Sequence, residues 1–159
     1  MMPALSESLE DYLEAIYHIV SAKQAARATD ISDRMGVNRS SVTGALRALA
    51  ERGLVNYAPY DLITLTPAGQ DAAGNIVHRH RVLRDFLVEI LAVDEEVADK
   101  AACGMEHHVG KVVLRRLAYL AQFIASCPHA GGDQWLARFR TYCEGREEAI
   151  AAPTEAAEK

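Results

Sequence analysis

The chain is poor in the residues that open or staple a polypeptide. Ten glycines and five prolines in 159 residues leave little material for long disordered stretches before the C-terminal end. Three cysteines, Cys103, Cys127 and Cys143, are odd in number and irregular in spacing, which argues against a disulfide framework and for reduced thiols. No apolar run approaches the roughly 18 residues of a membrane span, and "MMPALSES" lacks the basic start and apolar middle of a secretory signal. A cytoplasmic protein without membrane contact is expected. Net positive charge is missing too: the formal charge is -5, which by itself does not suggest a nucleic-acid partner. What is present is 50% hydrophobic residues, enough core for one domain or two small ones.

The charge is unevenly spread. Between Lys23 and Tyr60 six basic residues (Lys23, Arg27, Arg34, Arg39, Arg47, Arg52) face three acidic ones (Asp30, Asp33, Glu51), a local excess of +3 in an acidic chain. The same window, "ATDISDRMGVNRSSVTGALRALAERGLVNY", reads as a helix with Ile31 and Met35 four apart and a break at Gly36. A second helix follows, capped near Asn38, with Val42, Leu46 and Leu49 facing inward. Gly36 can take the left-handed conformation that ends one helix so that another starts across it, which is helix-turn-helix punctuation. The β-rich Val55–Tyr57 and Ile63–Thr66, around "APYD", predict a hairpin, and helix-turn-helix plus hairpin is a winged helix. Asn38, Arg39, Ser40, Ser41, Thr43 and Arg47 then lie on the early turns and outer face of the recognition helix. From there their hydroxyls and guanidinium groups can reach phosphates and base edges of double-stranded DNA, and Arg27 is a further candidate. A winged helix used only for protein contacts is the alternative.

Three other segments carry metal-ligand chemistry. In "SLEDYLEAIYHIV", Leu9, Tyr12, Leu13, Ile16 and Val20 form an inward stripe with Ser6 or Ser8 as cap, and Asp11 and Glu14 fall about 200° and 140° round from Leu9, opposite the core. Such a pair can simply be solvated. In "NIVHRHRVLRDFLVEIL" the stripe is Ile76, Leu83, Leu87 and Ile90, with His80 on it and His78 pointing elsewhere. A lone His on an apolar face is commonly a buried, hydrogen-bonded side chain. Residues 95–108, ending in "CGMEHH", read as a helix on which Cys103, Glu106 and His107 stand at i, i+3 and i+4 on one face, with His108 off it. A thiolate, a carboxylate and an imidazole converging on one point suit a first-row transition metal.

"EDYLEAIY", "SSVT", "RHRVL" and "CGMEHH" stand in the order and spacing of the metal-dependent repressors that include the diphtheria toxin repressor and the manganese transport regulator, and from about Leu9 to Ile124 the chain resembles that family. The resemblance implies a mainly α fold: a winged helix-turn-helix followed by an all-helical dimerisation domain, with the metal bound between them. It implies Asp11, Glu14, His80, Cys103, Glu106 and His107 as ligands, and a homodimer whose operator affinity depends on the metal. In the manganese-sensing branch a carboxylate stands where this chain has Cys103, and in the iron-sensing branch a thioether stands where it has Asp11. The soft thiolate makes Fe(II) the expected effector and Mn(II) the alternative, with Zn(II), Co(II) or Ni(II) able to substitute in vitro.

Some positions depart from the family. Arg84 and Asp99 replace a Glu and a His of an accessory site and could pair with each other, which favours one metal per subunit. Gly44 stands where iron-sensing relatives carry a base-contacting Gln. Expected boundaries are residues 1–73 for the DNA-binding domain, 74–143 for metal binding and dimerisation, and 144–159 for a flexible tail. Val113, Leu117, Leu120 and Ile124 read as an inward stripe suited to a dimer interface or an internal core. An amphipathic helix is expected through Trp135, Leu136 and Phe139. Cys127, His129 and Cys143 are weak candidates for a second metal. Two other classes remain open: a zinc hydrolase using Glu106 beside His107, though no HExxH is present, and a winged-helix regulator gated by an organic ligand, with His80 and Cys103 as core residues.

Overall fold

The computed structural model describes residues 5–58, 62–126 and 132–151. Among these the chain is mainly helical with one two-stranded sheet, and it divides into two compact units, residues 1–80 and 81–159.

In the first unit, α1 (Glu7–Lys23) starts where Ser6 Oγ accepts the Leu9 amide. Its buried face is Tyr12, Leu13, Ala15, Ile16 and Ile19; Leu9 and Val20, expected at its centre, are half-buried at its margins. α2 (Ala28–Met35) ends at Gly36, whose φ of 65° is the left-handed turn read from the sequence. α3 (Arg39–Glu51) starts at Asn38 and buries Val42, Leu46 and Leu49, with Ala45 added. The wing is β1 (Val55–Asn56) against β2 (Thr64–Leu65), antiparallel, with Val55 opposite Leu65 and Asn56 opposite Thr64. Residues 59–61 of its turn lie outside the described residues. Ala26 and Ile63 add a bridge of two 2.8 Å hydrogen bonds that ties the α1–α2 loop to the wing. Ala26, Ile63 and the inner faces of the three helices form one cluster with Ala73 and Ile76 of the next helix. Each fully buried Leu or Ile there stabilises the unit by about 1.5–3 kcal/mol.

α4 (Pro67–Asp85) starts well before the Asn75 at which its apolar pattern becomes visible. Proline at the first helical position, behind a threonine cap, fixes that start. Thr66 makes a three-way joint. Its hydroxyl donates to Gly53 O (2.6 Å) and accepts from Gly69 N (3.0 Å), and its amide donates to Leu54 O (3.0 Å). Gly69 packs so tightly on the segment between α3 and β1 that a Cβ there would sit 1.8 Å from Leu54 O. The division between the units falls inside α4, and a π-helical turn, Phe86–Ile90, follows it. Ile76, Leu83 and Ile90 are buried as expected, and Leu87 is half-buried.

In the second unit, α5 (Glu95–Glu106) is capped by Asp94, whose Oδ1 accepts from Glu96 N and Val97 N at 2.9 and 3.3 Å. It ends at Glu106, short of the expected 108, with His107 as its C-cap. α6 spans Lys111–Ser126 and α7 Gly132–Ala151. Leu83, Ala102 and Leu114 form a small core with Val82, Val109 and Leu117. The α6 stripe differs from the expected one: Leu114 and Ile124 are buried, whereas Val113 (54%) and Leu120 (46%) are exposed alongside Val112, Tyr119 and Phe123. The helix is apolar on two sides, and periodicity alone does not say which side meets the chain's own core. On α7 the rings of Trp135 and Phe139 stack at 5.6 Å. The helix continues to Ala151, through residues for which a flexible tail is expected; residues 152–159, and Cys127 and His129, lie outside the described residues.

Candidate functional site

The recognition helix presents its polar side to solvent. Arg27, Asn38, Arg39, Ser40, Ser41 and Arg47 are exposed and Thr43 is half-buried. Their hydroxyls are already engaged. Ser40 Oγ and Ser41 Oγ donate to Asn38 Oδ1 at 2.6 and 2.9 Å, the Ser41 amide donates to the same oxygen at 2.8 Å, and Thr43 donates to Arg39 O at 2.9 Å. The cap therefore fixes the serines as outward-facing acceptors, and the guanidinium groups of Arg39 and Arg47 are the donors ready for an anion. Arg27 opens α2, where its own amide donates to Asp30 Oδ2 at 2.9 Å. Hydrogen bonds from Lys23 and from this amide hold the Asp30 carboxyl below the usual aspartate range.

Each unit brings together two of the metal-ligand candidates. In the first, a Glu14 carboxylate oxygen and a His80 ring nitrogen lie within 4.8 Å of each other. Glu14 is 17% exposed and also meets His18 Nε2 at 3.5 Å; Asp11, one turn back on α1, is half-buried rather than fully solvated. In the second, Glu106 is 1% exposed, the one buried charged side chain among the described residues. His107 Nε2 stands 3.5 Å from its Oε1, with the His107 side chain 7% exposed. Donors sharing one ion at bonds of about 2.0–2.2 Å sit roughly 3–4 Å apart, so the Glu106–His107 pair fits and the Glu14–His80 pair is within reach.

Cys103 does not share the burial of Glu106. It is exposed, although one turn separates the two on α5. The expected pairing of Arg84 is present but wider: its guanidinium meets Asp99 Oδ1 at 3.9 Å, Glu95 Oε2 at 3.2 Å and Asp85 Oδ1 at 3.3 Å. A cation thus stands among three carboxylates where relatives are expected to hold an accessory metal. Thr66, the hub of the joint between α3, the wing and α4, has one local signal in the sequence, the Thr-Pro pair; Glu10, which pairs with Arg79 of α4, has none.

Residues 4–62 match the family described as iron dependent repressor, N-terminal DNA binding domain, and residues 66–134 match iron dependent repressor, metal binding and dimerisation domain. The chain belongs to the iron-dependent repressor family. The two matches make it a metal-dependent transcriptional repressor, with its DNA-binding domain first and its metal-binding and dimerisation domain second. Among this repressor's relatives, an HTH-type transcriptional regulator of Methanocaldococcus jannaschii is 38% identical over 71% of this chain and 91% of its own length. The HTH-type transcriptional regulator MntR of Lysinibacillus sphaericus is 36% identical over 76% and 86%. Of solved structures, IdeR of T. acidophilum has a TM-score of 0.62 at 28% identity, covering 73% of this chain and 54% of that one. A manganese-dependent transcriptional repressor in complex with manganese has 0.59 at 32%, covering 69% and 50%. The repressor thus spans about half the length of those two solved chains. No described helix is long and apolar enough to cross a membrane.

Proposed function

We propose that this repressor binds double-stranded operator DNA as a homodimer when one divalent cation is held by Asp11, Glu14, His80, Cys103, Glu106 and His107. The observation that carries the reading is the buried Glu106 carboxylate beside His107: an anion and a lone-pair donor set side by side away from water are what a divalent cation takes. A cation with ligands from both units couples them. It thereby favours the arrangement in which two recognition helices match successive major grooves, about 34 Å apart or a multiple of it. DNA contact falls to Arg27, Asn38, Arg39, Ser40, Ser41, Thr43 and Arg47. The exposed apolar side of α6, Val112, Val113, Tyr119, Leu120 and Phe123, supports self-association through that helix.

Fe(II) is the effector on this reading, because a thiolate from Cys103 is a soft donor, and the controlled genes serve metal uptake. A second reading has its own support. Cys103 is exposed, and relatives are named MntR, so Mn(II) held by the carboxylates and imidazoles, with Cys103 outside the coordination sphere, is the alternative. Anaerobic titration of DNA from the chain's own promoter region with Fe(II) and Mn(II) tests both. Glu106→Ala should abolish the dependence on metal, and Cys103→Ala should weaken the Fe(II) response and leave that to Mn(II). Equal DNA binding in excess chelator would refute the switch, and an unaltered Fe(II) response in Cys103→Ala would give the second reading the field.

A further inference from the structure

The ion pair between Glu10 and Arg79 is outside the proposed ligand set yet sits beside it twice. Glu10 immediately precedes Asp11 on α1, and Arg79 immediately precedes His80 on α4. Arg79 Nη2 meets Glu10 Oε2 at 2.5 Å, with the two side chains 22% and 18% exposed and 69 positions apart in the chain. Arg79 Nε is buried and makes no hydrogen bond, so the contact of Nη2 with the Glu10 carboxylate is the one polar contact of this guanidinium among the described residues. Glu10 and Glu14 are one helical turn apart and share a side of α1. The first meets Arg79 and the second lies within 4.8 Å of His80. Two successive residues of α4 thus engage two successive turns of α1.

We infer that Glu10 and Arg79 are positioning residues for the metal centre: their ion pair clamps α1 against α4 and keeps Glu14 within reach of His80. The inference rests on the metal-centre reading above. A clamp and plain electrostatics give opposite signs for the loss of Arg79. Arg79 is a cation next to a ligand of a cation, so removing its charge by field effects alone should tighten metal binding. If the pair is a clamp, removal frees α1 and binding weakens, by about tenfold or more as for other groups that orient metal ligands.

The test uses the full chain and Mn(II) as probe, with free ion followed by electron paramagnetic resonance, and Co(II) absorption bands as a second readout of the coordination sphere. Arg79→Gln should bind Mn(II) about tenfold more weakly and shift the Co(II) bands. The exchanged pair, Glu10→Arg with Arg79→Glu, should return the affinity to within about threefold of wild type. Arg79→Gln protein with wild-type or tighter Mn(II) affinity overturns the clamp. So does a folded exchanged pair, by circular dichroism, that fails to recover, or a lowered unfolding midpoint of metal-free Arg79→Gln with unchanged Mn(II) affinity. Failure of the wild type itself to take up Mn(II) and Co(II) is a different result, and it removes the metal-centre reading together with the clamp.

Discussion

Asn38→Ala would strip the recognition helix of an oxygen on which three donors converge, the Ser41 amide and the hydroxyls of Ser40 and Ser41. The loss is not the sum of three bonds. Both serines are exposed, so water replaces the asparagine for their hydroxyls, whereas the amide at a helix start loses its cap. One N-cap is worth about 1 kcal/mol. In a unit spanning residues 1–80 that corresponds to a midpoint lowered by about 4–8 °C. Asn38→Asp is the informative companion. It keeps the acceptor and adds a negative charge that the helix dipole favours, so stability should stay within about 0.5 kcal/mol of wild type. The same charge on the proposed DNA-facing surface should weaken DNA binding about tenfold, an effect that fades as salt rises. Thermal and urea melts followed by circular dichroism give the first quantity, and fluorescence anisotropy with a promoter duplex at saturating Mn(II) gives the second. Wild-type stability in Asn38→Ala refutes the cap, and wild-type DNA affinity in Asn38→Asp refutes the interface.

Two glycines should respond to the same substitution with opposite signs. Gly44→Ala adds a methyl to open space in mid-helix and should stabilise by about 0.8–1 kcal/mol, while Gly69→Ala drives a Cβ into the Leu54 carbonyl and should destabilise by about 1–3 kcal/mol, both read from urea melts. Because the Asp30 carboxyl sits below its ordinary range, it contributes stability above that range and loses the contribution as pH falls through its folded value. Asp30→Asn should therefore flatten the acid limb of the stability profile and leave its basic limb in place. Phe123→Glu, 63% exposed on α6, should raise the dimer dissociation constant about tenfold, equivalent to about 1.4 kcal/mol, in sedimentation velocity runs; an unchanged constant would move the dimer contact off this helix.

Local grammar was legible in the sequence where one residue decides a geometry. Ser6 and Asn38 as caps and Gly36 as the left-handed break all stand where residue type places them. The paired strands are legible for the same reason, although their closure by Ala26 and Ile63 is not, since an isolated bridge leaves no alternating pattern. The first turns of α4 were hidden because "PAGQDAAG" is polar and small, so its helicity shows only through the Thr66–Pro67 start. Within the candidate site, residues singled out by type lie in pairs, Glu14 near His80 and Glu106 beside His107, but the depth of each was not legible: a helical wheel puts Cys103 and Glu106 on one face, and the structure buries only the second. Depth depends on which neighbouring segment arrives, and spacing along one helix carries no trace of that.

The joint at Thr66 has a mechanical meaning. A side chain that latches the exit of the recognition helix, the end of the wing and the first turn of α4 leaves no slack loop among them. His80 stands fourteen residues further along the same α4, about 21 Å at 1.5 Å per residue. A ligand held at that imidazole would be joined to the exit of α3 by one continuous helix and the hydrogen bonds of Thr66.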